Sequence, residues 1–390
     1  MKKIFALVIA LSIMLGLCAC AVPVDDKGKN STSNVDYSSS FILDTSSIQS
    51  SNDTANESNS EQTDVSSQES VSSDNASSKA SQSKPSSSNS TSSKTQVSSS
   101  QQSSTQPAVT NAVHKALAES EYYQFSCMNT NEKKLYARLN DSAQKFENYT
   151  NAADLNMTVA EATSVMKRFV ADHPQYFWIS DQISVTYYLG SDKAEECIFK
   201  YSDGTITDDL DSKEANRNTI KSKKAKVEAK AKEIISKIDP KASDYEKELQ
   251  IHDVLANLLK YDKDAEKTPS NNGTLKSALD VYGALVENKA ICEGYTKSFQ
   301  YLCYLVGINA NQVVSKNHMW NVVKIGGEWY QVDLTWDDPI AKKADGTIVE
   351  MVVYDYFNLT TKEMNKDHTP AADSYIKVPN CTATKYKYKK

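Results

Sequence analysis

Between about Asp25 and Gln106 the chain offers almost nothing that a hydrophobic core could use. This stretch is Ser, Thr, Asn, Gln and Asp with scattered Lys, and 11 of the 20 residues from Ser81 to Ser100 are serine. Such a segment cannot bury enough apolar surface to offset its conformational entropy, so it is expected to be a disordered tether. As a flexible coil of about 80 residues it would have a mean end-to-end distance of about 50 Å. A core can form only in the later two-thirds of the 390 residues, fewer domains than length alone would allow.

Ahead of the tether, Met1-Lys2-Lys3 and the apolar run from Ile4 to Leu17 have the charged and hydrophobic regions of a secretory signal. The run is shorter than the roughly 20 residues a spanning helix needs. It ends in Leu17-Cys18-Ala19-Cys20, which resembles the lipobox of bacterial lipoproteins, with Cys20 fitting better than Cys18. That resemblance implies a signal peptide over 1–19, a lipidated Cys20 and a tether over 20–107. It places the protein on the cell membrane, held by the lipid alone and facing the extracytoplasmic side. The plainer alternative is a conventional signal with two stray cysteines. A formal net charge of −6 excludes an electrostatic case for nucleic acid.

Five further cysteines follow: Cys127, Cys197, Cys292, Cys303 and Cys381. They lie far apart, without a CxxC pair or metal-ligand spacing, so neither a zinc site nor a disulfide framework is expected. One or two structural disulfides stay open. No metal and no cofactor is expected, and no oligomer seam is readable. The odd count leaves at least one thiol unpaired within the chain, and a thiol kept outside the cell suggests a task for it.

Order is expected from about Ala108. Val109, Val113 and Leu117, then Leu135, Leu139 and Phe146, recur at helical spacing and predict two amphipathic helices. Thr158 to Ala171 reads as a third, with Thr158 as N-cap and Glu161 as its box partner. Tyr176 to Ile179 looks like packing material, Ser184–Leu189 and Glu196–Tyr201 like strands, and about Asp211 to Ile238 like a long helix with a solvated charged face. Residues 108–240 are thus a mainly helical pre-domain. From Ser243 the pattern is that of a compact α+β unit over 241–390. Helices are expected at Tyr245–Leu259, Ser277–Val286 and Cys292–Val306, the last burying Tyr295, Phe299, Leu302, Cys303 and Val306 and stopping at Gly307. Strands follow from Asn311 to Leu334, broken at Gly326-Gly327, the dipeptide a two-residue hairpin needs. The Lys- and Tyr-rich C-terminus reads as a fraying edge strand, or as a patch for wall polyanions.

The hairpin permits a geometric test. A two-residue turn makes Ile325 face Glu328, so His318 falls opposite Thr335 and Trp320 opposite Asp333. Side chains alternate, so these four share one face and His318 and Asp333 become diagonal neighbours. Cys292 opens its helix, where the N-terminus favours a thiolate. A nucleophile on a helix tip, a base on a facing strand and a carboxylate orienting that base is triad logic. The backbone N–H of Cys292 would be an oxyanion donor.

Tyr282-Gly283-Ala284-Leu285, Cys292-Glu293-Gly294-Tyr295, His318-Met319-Trp320-Asn321 and Asp333-Leu334-Thr335-Trp336-Asp337-Asp338-Pro339 together resemble the bacterial transglutaminase-like family of the papain-like cysteine peptidase superfamily. His252-Asp253, Tyr261-Asp262 and Tyr356-Phe357-Asn358-Leu359 are similar to its members too. The likeness runs from about Ser243 to Met364, and Met319 departs from the usual small residue. It implies a papain-like core with its catalytic helix on an antiparallel sheet, Cys292 as nucleophile, His318 as base and Asp333 as orienter. Tyr282, Gly294, Trp320 and Trp336 are cleft or oxyanion candidates, the two tryptophans equally readable as core. His114, His173, His252 and His368 read as structural. The expected activity is thiol chemistry on peptide or carboxamide bonds, hydrolysis favoured over crosslinking. A peptide or protein is the substrate, with cell-wall peptide among the candidates. The alternative is a non-catalytic wall- or protein-binding module on the same fold.

Overall fold

Capping residues decide where most helices start. In a computed structural model, residues 113–201, 210–271, 274–342, 348–372 and 374–389 are described. The expected leader, Cys20, the tether and the start of order at Ala108 and Val109 lie outside them. A short helix α1 (Tyr123–Ser126) leads to α2 (Thr130–Gln144), where Asn129 and Glu132 form a reciprocal capping box. After β1 (Tyr149–Asn151), the predicted Thr158–Glu161 box opens α3 (Val159–Asp172). Strands β2 (Ile179–Thr186) and β3 (Glu196–Tyr201) follow, then α4 (Leu210–Ile235). Ser243 and Glu246 box α5 (Asp244–Leu258), which is followed by β4 (Lys260–Tyr261), α6 (Lys263–Lys267), β5 (Ser270–Asn271) and β6 (Thr274–Leu275). Next come α7 (Val281–Glu287), β7 (Lys289–Ala290) and α8 (Cys292–Leu305). Strands β8 (Ala310–Val314), β9 (Met319–Ile325) and β10 (Glu328–Val332) form a meander, trailed by β11 (Ile340–Lys342), β12 (Ile348–Glu350) and α9 (Thr361–Met364).

The architecture is α+β. Two antiparallel three-stranded sheets stand in the orders β1-β3-β2 and β10-β9-β8, and β4 pairs with β7 in parallel. Helix α8 lies on the second sheet: Thr296 Oγ1 donates to the Met319 carbonyl (2.9 Å) and Asn321 Nδ2 to the Thr296 carbonyl (3.1 Å). The buried face of α8 is the predicted one, with Tyr295, Phe299, Leu302 and Cys303 all removed from water. The β9–β10 turn has Gly326 at φ 58° and Gly327 at φ 90°, left-handed values that glycine adopts without strain. Ile325 pairs with Glu328, as a two-residue turn requires.

One hydrophobic core runs from Met128 in the pre-domain to Phe357 near the C-terminus. The boundary at residue 240 is therefore not a gap in packing. Amides add to this seam: Gln300 Nε2 on α8 and Gln312 Nε2 on β8 both donate to the Ala171 carbonyl (2.9 and 3.1 Å). On α4 the charges do lie outside, as Lys230–Glu233 and Glu233–Lys237 pairs, while Ile220, Val227, Ala231 and Ile234 are buried.

Three expectations change. Val113 to Leu117 form no helix: Val113 is exposed, and Leu117 N–H donates to the Tyr304 carbonyl at the end of α8 (2.8 Å). The Ser277–Val286 helix is broken, because the Asp280 carboxylate accepts from the N–H groups of Tyr282 (2.7 Å) and Gly283 (3.1 Å) and restarts it as α7. The C-terminus is not a strand. Tyr386 packs on the Gly326 turn and against Tyr245 and Tyr330, and Tyr388 stacks on Tyr354 at 4.0 Å.

A Cβ on Gly294 would stand 2.5 Å from the Ala278 carbonyl oxygen and 2.8 Å from the Ala290 Cβ. Gly294→Ala should therefore destabilise the fold by about 1–3 kcal/mol, read as a lowered midpoint in denaturant unfolding.

Candidate active site

Helix α8 begins with Cys292, and its N-cap residue Ile291 supplies no side-chain oxygen to the first turn. By contrast α2, α3, α5, α6, α7 and α9 are all capped by a side chain. The tip of α8 carries the positive end of the helix dipole, where an anion is favoured. The Ile291 N–H itself is bound to the Ala278 carbonyl (2.9 Å), which fixes the tip. Cys292 is 0 % exposed, with Tyr261 packed against it. Thr296 sits one helical turn after Cys292 on the same face, and it holds Met319, the residue next to His318. The start of β9 therefore runs beside the start of α8.

His318 and Asp333 meet at the open end of the β9–β10 hairpin. The ladder stops at the Asn321–Val332 pair, so both residues lie just past the paired strands. His318 Nε2 reaches Asp333 Oδ2 at 2.5 Å. Thr335 is not opposite His318 as expected, because the chain turns at Asp333: its Oδ1 accepts from the N–H groups of Thr335 (2.9 Å) and Trp336 (3.2 Å). Asp333 so caps a turn with one oxygen and holds His318 with the other. Burial works against its ionisation, but the imidazoles of His318 and His368 outweigh that and keep its carboxyl well below the usual range. With Nε2 on Asp333, Nδ1 is the ring nitrogen that points away from that carboxylate.

His368, read as structural from the sequence, belongs to this group: its Nε2 lies 2.9 Å from the same Asp333 Oδ2. The donor atoms of His318, Asp333 and His368 lie within 4.8 Å of one another. Hydrogen bonds of 2.5 and 2.9 Å account for that convergence. His252 is not merely packing against a helix either. It bonds Asp253 Oδ1 and Asp337 Oδ2, both at 3.2 Å, and stacks on Tyr354. A second His–carboxylate pair thus lies one turn beyond the first, and Tyr295 of α8 donates to the next residue, Asp338, at 2.7 Å. The doubled aspartate after Trp336 was the sequence signal for this second pair. Nothing in the spacing pointed to His368.

The remaining candidates have separate settings. Trp320 is buried beneath His318, rings 5.8 Å apart, and donates Nε1 to Gln331 Oε1 (2.7 Å), so it fills core. Trp336 is half-buried, 4.4 Å from the His368 ring and 5.8 Å from that of His318. Gly294 serves close packing, as above. The Tyr282 ring lies against Phe177 (5.9 Å) and under the Lys223 ammonium, on the α4 side. Cys303 is buried on the packing face, and no disulfide joins the described cysteines.

Residues 228–334 match the family described as the Transglutaminase-like superfamily, a stretch that contains Cys292, His318 and Asp333 and ends before His368. Among solved structures, a candidate cysteine protease from Cytophaga hutchinsonii is 19 % identical with a TM-score of 0.23, over 32 % of this chain and 42 % of that one. A second, described as a TGase, is 15 % identical with a TM-score of 0.25, over 53 % and 48 %. The chain thus spans less than half the length of either. No curated protein matches it.

Beside this site, burial pushes the Glu248 carboxyl up to about 8, although Asn358 bonds one of its oxygens at 2.9 Å and His252 lies nearby. The folded chain keeps that proton to about pH 8, while the unfolded chain releases it near ~4.3. Between those values the folded state binds more protons, so stability falls as pH rises. Asp337, pushed up by burial to about 6, adds in the same sense. Thermal unfolding from pH ~5 to ~9 should show a falling midpoint, and Glu248→Gln should flatten the slope.

Proposed function

We propose, for a chain whose residues 228–334 are a transglutaminase-like domain, a cysteine enzyme that acts on peptide or carboxamide bonds through an acyl-enzyme on Cys292. The observation that carries this reading is the 2.5 Å His318–Asp333 bond at the end of a hairpin held beside the tip of α8, where Cys292 stands. Asp333 fixes the tautomer of His318, and His318 takes the thiol proton at Nδ1. The Cys292 sulfur attacks the carbonyl carbon, and the first N–H groups of α8 receive the oxyanion. The leaving amine takes the proton from His318. Water, deprotonated by His318, then releases the acid and restores the thiol. Hydrolysis is preferred to crosslinking because transfer to an amine would require water to be kept out of the second step. Tyr261 packs against Cys292.

The same reading sets the enzyme outside the cell. Support comes from the charged and apolar start of the chain, Leu17-Cys18-Ala19-Cys20 and the serine-rich stretch behind it. A lipid on Cys20 would hold the domain to the membrane and the tether would let it reach peptide or protein at some distance, cell-wall peptide included. Cys20→Ser should move the chain from the membrane fraction to the soluble one.

Alkylation with iodoacetamide at neutral pH, mapped by mass spectrometry, tests the chemistry. Cys292 should react faster in the folded chain than in the denatured one, and His318→Ala should slow it by about 100-fold or more. If Cys292 reacts no faster than in the denatured chain, and His318→Ala changes nothing, the enzyme reading is lost.

A further inference from the structure

We propose that His368 is a positioning residue of this site, holding the Asp333 carboxylate in the place from which it meets His318. The inference rests on the reading of Cys292, His318 and Asp333 given above and adds a residue outside the matched stretch 228–334.

Four donors converge on Asp333: two backbone N–H groups on Oδ1 and two imidazoles on Oδ2, His318 at 2.5 Å and His368 at 2.9 Å. The backbone pair fixes one oxygen and leaves the carboxylate free to pivot about it. His368 supplies the second fixed point, on the very oxygen that His318 uses. Since an ionised carboxylate only accepts, both imidazoles must carry a proton on Nε2 for these bonds. That proton inventory leaves Nδ1 of His318 as the basic nitrogen.

The ring of His368 is itself held. Its Nδ1 lies 2.6 Å from Asp367 Oδ1, and Tyr356 donates its hydroxyl to the other Asp367 oxygen at 2.8 Å. Trp320 and Trp336 flank the ring at 4.9 and 4.4 Å. Its backbone N–H donates to the Met364 carbonyl (3.0 Å) at the end of α9, whose Thr360–Glu363 box is anchored by Lys387. A ring that only filled space would not need both nitrogens on carboxylate oxygens while 3 % exposed. Phenylalanine would fill that space with no polar group to satisfy.

The test uses the folded chain from residue 20 onward without the lipid, with two variants and one spectrum. Glutamine can place its amide nitrogen near the position of Nε2, so His368→Gln keeps the donor to Asp333, whereas His368→Phe keeps the shape and loses it. Iodoacetamide should alkylate Cys292 about tenfold or more slowly in His368→Phe, and close to the wild-type rate in His368→Gln. Imidazole 15N NMR of the wild type should show His368 Nε2 protonated and its proton shielded from exchange. A folded His368→Phe with wild-type alkylation overturns the proposal, as does a His368→Gln as slow as His368→Phe. If neither variant folds, the wild-type spectrum decides, and an unprotonated Nε2 overturns it. A wild-type Cys292 no faster than in the denatured chain would instead remove the underlying enzyme reading.

Discussion

The carboxylate of Asp333 is the charge around which the rest of the site is arranged. It is 1 % exposed, and an ionised carboxylate taken out of water is costly unless every lone pair finds a donor. Here it finds four: the N–H groups of Thr335 and Trp336, and the imidazoles of His318 and His368. These four donors come from three separate parts of the chain. The two amides come from a turn that Asp333 itself caps, His318 from the start of β9, and His368 from the C-terminal segment behind α9. Losing any of these pieces leaves a buried charge short of a partner. The site and the fold around it are therefore coupled through one side chain.

The turn from Asp333 to Asp338 extends that role. Its three carboxylates tie four parts of the chain: Asp333 holds the hairpin and the C-terminal segment, Asp337 holds His252 of α5, and Asp338 holds Tyr295 of α8. Asp337 also accepts from the Tyr356 N–H at 2.9 Å, which keeps the chain carrying Asp367 and His368 in register. Short polar contacts in a dry setting are strong and leave little rotational freedom. On the reading proposed above, that rigidity sets Cys292, His318 and the tip of α8 in place before substrate arrives.

The pre-domain takes part in this rigidity. Its core is continuous with that of the C-terminal part, and Gln124 Nε2 donates to Asn311 Oδ1 of β8 at 3.0 Å across the seam. The sheet that carries His318 is thus backed on β8 by residues more than a hundred positions earlier in the chain. The sequence divides the chain near residue 240, where the long charged helix stops at Asp239-Pro240 and the pattern changes from Ser243. Periodicity reports which face of an element is apolar, and says nothing of which partner covers it.

Much of the site was readable without coordinates, for local reasons. A Gly326-Gly327 dipeptide admits a two-residue turn, the turn fixes strand parity, and parity brings His318 to Asp333. A capping box fixes the start of α3, and the stripe from Tyr295 to Cys303 fixes which side of α8 is buried. What failed was also local reading, applied where a distant partner decides. Val113 and Leu117 have helical spacing but form no helix, Leu117 bonding instead to the end of α8, and Thr335 leaves the ladder because the Asp333 side chain competes for its N–H. His368 stands 35 positions from Asp333 with no periodic link to it, and only the packing of the C-terminal segment brings its ring to that carboxylate. The sequence by itself determined the helix that Cys292 opens, the hairpin and the facing His–Asp pair, because turn chemistry and side-chain alternation act over a few residues. Tertiary structure alone decided the second histidine, the His252–Asp337 pair and the shared core, because those contacts join segments that no short-range rule connects.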